Sequence, residues 1–262
     1  MMKLQVLVST MEQIDYGLIE QMNINSEAVV INQCGICKSE VFDHKGKSIE
    51  WLSFIERGIG KSRNNALLRA TGDICLFADD DVIYYEDYAK LIISEFEKNH
   101  KADLIIFNIK STNAERPEPQ IHRPQRVHFY NCLRYGTYRI AARTESLRKE
   151  RLAFSLLFGG GSKYGSGEDS LFLMDCIKRG LRIYAVPIEI GTVHHFNSTW
   201  FSGYTEKYFF DKGALFCSLS RHFPRLLCWQ FCVRHKTMVS KITFWGAYQC
   251  MLKGIQDYRK RL

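Results

Sequence analysis

The sequence predicts an α/β protein: a mostly parallel central sheet with helices on both faces, followed by a helical C-terminal extension. Three observations support this. Short apolar, β-branched runs alternate with helical patterns in the first part of the chain, as in sheets whose parallel strands are joined by helices. Polar residues directly follow several of these runs. After residue 203 the chain is rich in aromatic and basic residues and favours helices.

The first half of the chain shows the clearest periodicity. Apolar runs predict strands at residues 4–8, 28–31, 49–54, 74–78 and 104–107. Helical spacing predicts helices at residues 14–22, 60–70 and 88–96, with Leu67 and Leu68 on the apolar face of the second. Ligands bind at the carboxyl ends of the strands in such sheets. The candidate binding residues at these ends are Ser9, Thr10, Asn32, Gln33, Asp79, Asp80 and Asp81.

The second half is less regular. Residues 110–127 predict a long polar loop, residues 138–142 a strand, and residues 170–179 a helix that Gly180 closes. A glycine-rich stretch at residues 159–167 precedes this helix. The region after residue 203 is predicted to be helical.

Bulk composition limits the possible partners. The 262 residues carry a net charge of +8, which suits nucleotide phosphates, nucleic acid or an anionic membrane surface. The nine cysteines are an odd number, and the N-terminal residues do not resemble an export signal. We therefore expect reduced thiols in the cytoplasm. No apolar run is long enough to predict a transmembrane helix.

The acidic cluster Asp79, Asp80 and Asp81 follows the apolar run Ile-Cys-Leu-Phe-Ala. Three adjacent carboxylates repel one another, and a bound cation relieves that repulsion. Mg²⁺ and Mn²⁺ prefer oxygen ligands and commonly combine one or two carboxylates with phosphate oxygens. The alternative is a solvated acidic turn, but the preceding strand places the cluster at a sheet edge. The pattern therefore favours a metal site.

Glu168 and Asp169 open a predicted helix after a run of glycines. Acids at this position, or Ser166, can simply cap the helix. The helix N-terminus should also lower the pKa of such a carboxylate and keep it ionised. This pair is thus a candidate acid–base site as well as a candidate cap.

Two further patterns are less specific. The basic segment at residues 57–64 resembles a phosphate-binding P-loop. That motif would also need a glycine two positions before the segment, at position 55, and Ile55 stands there. Lys61 and Arg63 at a helix start can still contact a diphosphate. His194 and His195 are a candidate source of one metal ligand.

Taken together, these motifs resemble the inverting family-2 glycosyltransferases of the GT-A fold, the bacterial group that builds surface polysaccharides. ERGIGKSRNNALLRATGDICLFADDDVIYYEDY at residues 56–88 is similar to the family's G-x-S-x-x-R-N helix and acidic strand end. GSGEDSLFLMDCIKRG at residues 165–180 is similar to its acceptor-side motif. The resemblance covers roughly residues 1–200, and it implies a GT-A catalytic domain there. That domain has a nucleotide-sugar-binding half (1–109) and an acceptor-side half (110–200), and residues 201–262 form the extension.

The resemblance also implies roles for individual residues. Asp169 is the implied general base, and Glu168 helps to place the acceptor. Asp79 contacts the ribose or the metal, Asp81 with Asp80 holds Mn²⁺ or Mg²⁺ at the diphosphate, and one of His194 and His195 completes that site. Arg63 and Asn64 support the nucleotide pocket. The chain departs from the family at Asn32 and Gln33, where many members have an aspartate pair that binds uracil.

The implied reaction moves a sugar, with inversion, from a nucleotide-diphosphate donor such as a UDP-sugar to a hydroxyl of a glycan or lipid-linked glycan. The metal neutralises charge on the leaving diphosphate while the base deprotonates the acceptor. Two alternatives remain: a metal-dependent sugar nucleotidyltransferase, and a non-enzymatic nucleic-acid-binding module. The first usually has a glycine-rich basic loop after its first strand, and the second a concentrated basic patch. Neither feature is evident, so no nucleic-acid partner is expected. The aromatic, basic tail suggests peripheral contact with the inner face of an anionic membrane.

Overall fold

The computed structural model describes residues 2–113, 117–194, 203–239 and 242–261. In this part of the chain, ten strands form a single sheet. The strands are β1 (Leu4–Met11), β2 (Glu27–Gln33), β3 (Lys38–His44), β4 (Lys47–Phe54), β5 (Ile74–Asp79), β6 (Val82–Tyr84), β7 (Leu104–Ser111), β8 (Gln125–Val127), β9 (Ile140–Arg143) and β10 (Ile183–Val193).

Helices cover the sheet and build the C-terminal region. They are α1 (Leu18–Gln21), α2 (Ile59–Arg69), α3 (Tyr88–Lys98), α4 (Thr144–Lys149), α5 (Glu168–Lys178), α6 (Glu206–Leu219), α7 (Pro224–Arg234), α8 (Lys236–Val239) and α9 (Phe244–Arg259). Two short 3₁₀ helices, Cys132–Arg134 and Thr137–Arg139, precede β9.

The strand order is β3-β4-β2-β1-β5-β9-β7-β10-β6, and β8 pairs with β10. The predicted parallel arrangement is present in β4-β2-β1-β5 and between β7 and β10. The remaining pairs are antiparallel, so the sheet as a whole is mixed. The parallel block brings the carboxyl ends of β1, β2 and β5 to one edge.

Both faces of this block are buried, as the near-continuous apolar runs predict. Consecutive residues of β1 point to opposite sides: Val6 and Val8 join one hydrophobic cluster, while Leu7 joins the other. The first cluster lies under α1 and α3, and the second under α2 and α5. A sheet buried on both faces gives the residues at its edge a rigid support.

Several sequence predictions were incomplete at the level of single elements. The helix predicted at residues 14–22 was too long. The observed α1 covers only four residues, and Ile14 lies before it and is fully exposed. Leu67 is buried, but Leu68 is 75% exposed and is not on the apolar face of α2. Strand β10 was not predicted because it contains Pro187. The proline lies where the pairing of β10 with β7 is irregular, a position that tolerates a missing N–H.

The C-terminal extension is helical, as predicted, and has its own hydrophobic cluster. Helices α6 and α9 pack closely because each carries a glycine at the crossing. A Cβ on Gly213 would lie 1.9 Å from the carbonyl oxygen of Met251, and one on Gly254 would lie 1.9 Å from that of Phe210. None of the helices in the described part of the chain has the length and apolar character needed to cross a membrane.

Candidate active site

The carboxyl ends of β1 and β5 meet at the sheet edge, where Ser9 pairs in register with Asp79. The Thr10 hydroxyl donates a hydrogen bond of 2.6 Å to the Asp80 carboxylate. On the other side, Ser62 at the start of α2 donates to the Ser9 hydroxyl over 2.9 Å. The predicted binding residues of β1 and β5 are therefore gathered in one place.

Arg63 on α2 is the centre of this site, and only 3% of it is exposed. Its Nη2 donates to both carboxylate oxygens of Asp79, at 2.9 and 3.1 Å. Its Nη1 donates to Glu168 at 3.1 Å and to Asp169 at 2.9 Å. Burial alone would lower the pKa of Arg63, but the charges of the three carboxylates outweigh it and raise that pKa. One guanidinium thus joins the two acidic motifs that the sequence identifies separately.

Asp169 is held from a second direction by Thr137, whose hydroxyl donates to the same carboxylate oxygen over 2.5 Å. The helix that carries Asp169 begins after Gly167, which has a φ of 116°. A side chain there would also collide with Leu215, since a Cβ would lie 2.8 Å from it. No side chain caps α5, so Ser166 does not have the capping role that we considered.

The prediction that the helix terminus lowers the pKa of these acids is wrong for Glu168. Burial is the largest effect on Glu168, and the charge of Asp169 is the second. Together they raise the pKa of Glu168 to about 8, although the charge of Arg63 acts in the opposite direction. Desolvation of a buried carboxylate outweighs the helix terminus here. Glu168 therefore releases its proton less readily than an ordinary glutamate does.

The turn after β5 contains Asp81, whose pKa is raised to about 7 by burial and by the charges of Asp79 and Asp80. The backbone N–H of His194, just after β10, donates to the Asp81 carbonyl over 2.9 Å. Nδ1 of His194 lies 3.0 Å from the Thr112 hydroxyl. His195 lies outside the described residues. Among the described residues, no group of three or more acids, histidines or cysteines is arranged to hold a metal ion by itself.

The amides at the end of β2 are engaged with backbone groups. The Asn32 side chain accepts from the Gln13 N–H at 3.1 Å and donates to the Gln13 carbonyl at 2.9 Å. The Gln33 side chain accepts from the Gly58 N–H at 3.2 Å and donates to the Gly58 carbonyl at 2.8 Å. Asn32 thus orders the segment after β1, while Gln33 fixes the entry to α2.

Asn64 has a similar supporting position on α2. Its amide accepts from the Phe154 N–H at 2.7 Å and donates to the Phe154 carbonyl at 2.9 Å. The Phe154 ring in turn lies 5.4 Å from the Arg63 guanidinium. Asn64 therefore positions the ring that packs against Arg63.

The C-terminal extension holds the glycine-rich segment that precedes α5. The buried Asp211 of α6 accepts from the Gly165 N–H at 2.9 Å, and it pairs with Lys207 at 2.6 Å. Asp257 of α9 accepts from the Tyr164 hydroxyl at 2.7 Å and from Lys163. Sequence reasoning missed these aspartates and Thr137, because nothing in the local sequence shows which distant residue each one meets.

The Glycosyl transferase family 2 profile matches residues 18–154 of the chain. No curated protein sequence matches significantly. S. aureus TarS 1-349 in complex with UDP-GlcNAc has a similar structure, with a TM-score of 0.63 and 19% identity over 90% of this chain and 73% of that one. The complex of TarS 1-349 with UDP has a TM-score of 0.63 and 18% sequence identity, over 98% of this chain and 89% of that one. The mannosyltransferase PcManGT from Pyrobaculum calidifontis, in complex with GDP-Man and Mn²⁺, has a TM-score of 0.53 and 14% sequence identity, over 99% of this chain and 75% of that one.

These similarities confirm the predicted GT-A fold, and the family profile covers more than half of the chain. The family also favours glycosyl transfer over the two alternative functions. The chain therefore belongs to glycosyl transferase family 2 and is a glycosyltransferase.

Proposed function

We propose that this enzyme transfers a sugar from a UDP-sugar to a hydroxyl of a glycan or lipid-linked glycan, with inversion at the anomeric carbon. Residues 1–109 bind the donor in this proposal, residues 110–200 form the acceptor side, and residues 201–262 are the helical extension. The product belongs to a bacterial capsule, exopolysaccharide or other surface glycan, and the enzyme works at the inner face of the membrane as a peripheral protein.

One observation carries the proposal. Arg63 contacts Asp79 at the end of β5 and, through its other amino group, Asp169 at the start of α5. The acid that faces the proposed donor side is thus fixed relative to the acid that faces the acceptor side. Direct displacement needs donor and acceptor to be held in one geometry, because orientation supplies much of the rate.

Asp169 acts as the general base. Its carboxylate is fixed by Arg63 and Thr137, while burial raises the pKa of Glu168 beside it. An ionised carboxylate held in one direction can take the acceptor's proton as the hydroxyl oxygen attacks the anomeric carbon. Attack from the face opposite the leaving diphosphate inverts the anomeric configuration.

The residues around Asp81 fit a divalent cation that is held jointly with a ligand. Burial and two neighbouring carboxylates disfavour the charge on Asp81, so a cation there relieves an existing repulsion. Asp79 already binds Arg63 through both oxygens, so we propose Asp81, with Asp80 or His194, as the protein's share of the ligands. When bound, Mn²⁺ or Mg²⁺ would neutralise charge on the leaving diphosphate. PcManGT is in complex with Mn²⁺.

The donor is proposed to lie along the edge formed by β1, β2 and β5. Ser9, Thr10, Asn32, Gln33, Asp79 and Asp80 line this edge, and Arg63 and Asn64 support it from α2. TarS is in complex with UDP-GlcNAc and UDP, and PcManGT with GDP-Man; these complexes support a nucleotide-sugar donor, for which we propose the uridine nucleotide. The amides of Asn32 and Gln33 hydrogen-bond to backbone, so we propose that they shape the base pocket through Gln13 and Gly58.

The test is an assay of UDP release from a panel of UDP-sugars in the presence of Mn²⁺, using the unmodified enzyme and Asp169→Asn. The variant keeps the size of the side chain and removes its basicity. Transfer should fall by about 10²–10⁴, while calorimetry should show unchanged affinity for UDP. Near-normal transfer by Asp169→Asn would place the base elsewhere. Loss of UDP binding would instead show that Asp169 is structural.

A further inference from the structure

Helix α7 in the C-terminal extension has two apolar faces, and only one of them is buried. Cys228 and Cys232 are fully buried in the cluster shared with α6 and α9. The opposite face shows Leu226, Trp229 and Val233, which are 59%, 48% and 37% exposed, and Phe223 just before the helix is 65% exposed. Spacings of three and four residues place these side chains in one stripe. We call it the α7 stripe.

An exposed stripe of this kind marks a contact surface, because the surface of a soluble protein rarely shows large apolar side chains together. The other apolar residues of α7 are buried or partly buried against the extension's own cluster. The stripe therefore contributes nothing to the core of this domain. Something other than the described part of the chain must cover it to remove it from water.

The charge of the segment identifies the chemistry of the partner. From Lys212 to Gln256 the sequence contains seven lysines and arginines and no aspartate or glutamate. Arg225, Arg234 and Lys236 are exposed around the stripe. At 3.6 residues per turn, Arg225 and Arg234 lie on opposite sides of it. The surface is thus apolar along its middle and positive along its borders, and it complements a partner that is anionic outside and apolar within.

We propose that the α7 stripe docks on an anionic phospholipid bilayer, with Leu226, Trp229 and Val233 in the interface and the arginines at the headgroups. The proposal rests on the membrane-side role in the proposed function and assigns it to one surface. Aromatic and aliphatic residues bordered by arginine are the pattern of interfacial helices. Nucleic acid would use the cations but not the aliphatic side chains. A second copy of the chain would bring two positive surfaces together.

The helix that carries this stripe also packs against a helix that supports the proposed site. Sγ of Cys232 on α7 lies 3.6 Å from Sδ of Met251 on α9, so these two helices of the extension are in direct contact. Asp211 and Asp257 of that extension hold the segment leading to Asp169. The α7 stripe is therefore connected through packed helices to the acceptor side, where a membrane-bound acceptor would arrive.

The test is co-sedimentation of the full chain with vesicles of phosphatidylcholine, with and without phosphatidylglycerol. Binding is expected only with the anionic lipid, it should weaken as salt is added, and Trp fluorescence should shift to the blue. Leu226→Ser with Trp229→Ser should weaken binding about tenfold or more. Arg225→Glu with Arg234→Glu should weaken it by about fivefold per charge or more. Leu68→Ser and Lys101→Glu are matched exposed controls and should bind normally.

No binding to phosphatidylglycerol vesicles at low salt would overturn the proposal, as would unchanged binding by the Leu226/Trp229 variant. A concentration-dependent dimer that this variant dissociates would overturn it in favour of a second copy. All the substituted side chains are exposed, so each variant should fold. UDP affinity, measured without vesicles, separates the two proposals. If the protein binds UDP normally but does not bind vesicles, only the membrane-docking proposal is rejected. If it binds vesicles but not UDP, only the assignment of a UDP-sugar donor is rejected.

Discussion

Nη1 of Arg63 lies 2.9 Å from the carboxylate of Asp169, a residue 106 positions further along the chain. This ion pair links α2 to the start of α5, and the same guanidinium also reaches the end of β5. The guanidinium is fully buried and reaches Asp79 with its other amino group. Only a planar group with several fixed donors can serve both acids at once.

Arg63→Lys should therefore reduce transfer by more than about tenfold although it keeps the positive charge, because lysine cannot donate to Asp79 and Asp169 together. UDP release measures the rate, and thermal denaturation checks the fold. The matched control is Arg69→Lys on the same helix, where the arginine contacts Asn65. Equal rates for the Arg63 variant and the unmodified enzyme would show that the two acids do not depend on this link.

Asp81→Asn should abolish the gain in UDP affinity that Mn²⁺ provides, because the half-buried carboxylate of Asp81 is the proposed metal ligand. Calorimetric titration with UDP, with and without Mn²⁺, gives the result directly. Asp87→Asn, an exposed acid before α3, is the control and should retain the gain. Identical UDP affinity with and without Mn²⁺ in the unmodified protein would reject metal assistance altogether.

Glu168 should make the protein less stable as the pH rises. Its folded pKa of about 8 lies above the unfolded value of 4.5, so between these values the folded state keeps a proton that the unfolded state has released. Such a difference lowers the free energy of unfolding by up to about 1.4 kcal/mol per pH unit. Glu168→Gln should remove this slope and be the more stable form above about pH 8.

Urea denaturation at several pH values between about 5 and 9 measures this effect. The exposed acid Glu145 of α4 supplies the control variant, Glu145→Gln, which should follow the unmodified protein. If Glu168→Gln keeps the full pH slope, Glu168 does not hold the extra proton.

Asp211→Asn should raise the KM for the acceptor while leaving UDP affinity unchanged. The substitution removes the charge that pairs with Lys207 and weakens the hydrogen bond that holds Gly165. The glycine-rich segment then loses one of its supports on the acceptor side, at a cost in stability of about 1–3 kcal/mol. Asp175→Asn, at an exposed ion pair on α5, is the control. A change in UDP affinity alone would contradict the assignment of this segment to the acceptor.

The sequence predicted the parts of the fold that depend on local patterns. Strands β1, β2 and β5 were evident because a strand buried on both faces needs an unbroken apolar run. Strand β3 was missed because it lies at an exposed edge and carries Lys38, Glu40 and Asp43 in place of such a run. The acidic motifs were also found locally, as neighbouring carboxylates beside glycine or a strand end.

What the sequence did not reveal are contacts between distant residues. Arg63 was predicted to support the nucleotide pocket, but its three acidic partners come from two separate motifs. The raised pKa of Glu168 depends on burial by the surrounding fold, which the helix-terminus argument does not include. Thr137 is an unremarkable threonine until the fold brings it to Asp169.

The close approach of α6 and α9 at Gly213 and Gly254 makes the enzyme sensitive to added side-chain bulk far from its reacting groups. Any side chain at either position would push α6 and α9 apart, since backbone carbonyl oxygens lie 1.9 Å from where a Cβ would be. Asp211 stands on one of these helices and Asp257 on the other, and both hold the segment before α5. Gly254→Ala is thus the natural starting point for a conditional allele, one that transfers sugar in the cold and fails on mild heating while the proposed donor-binding edge stays intact.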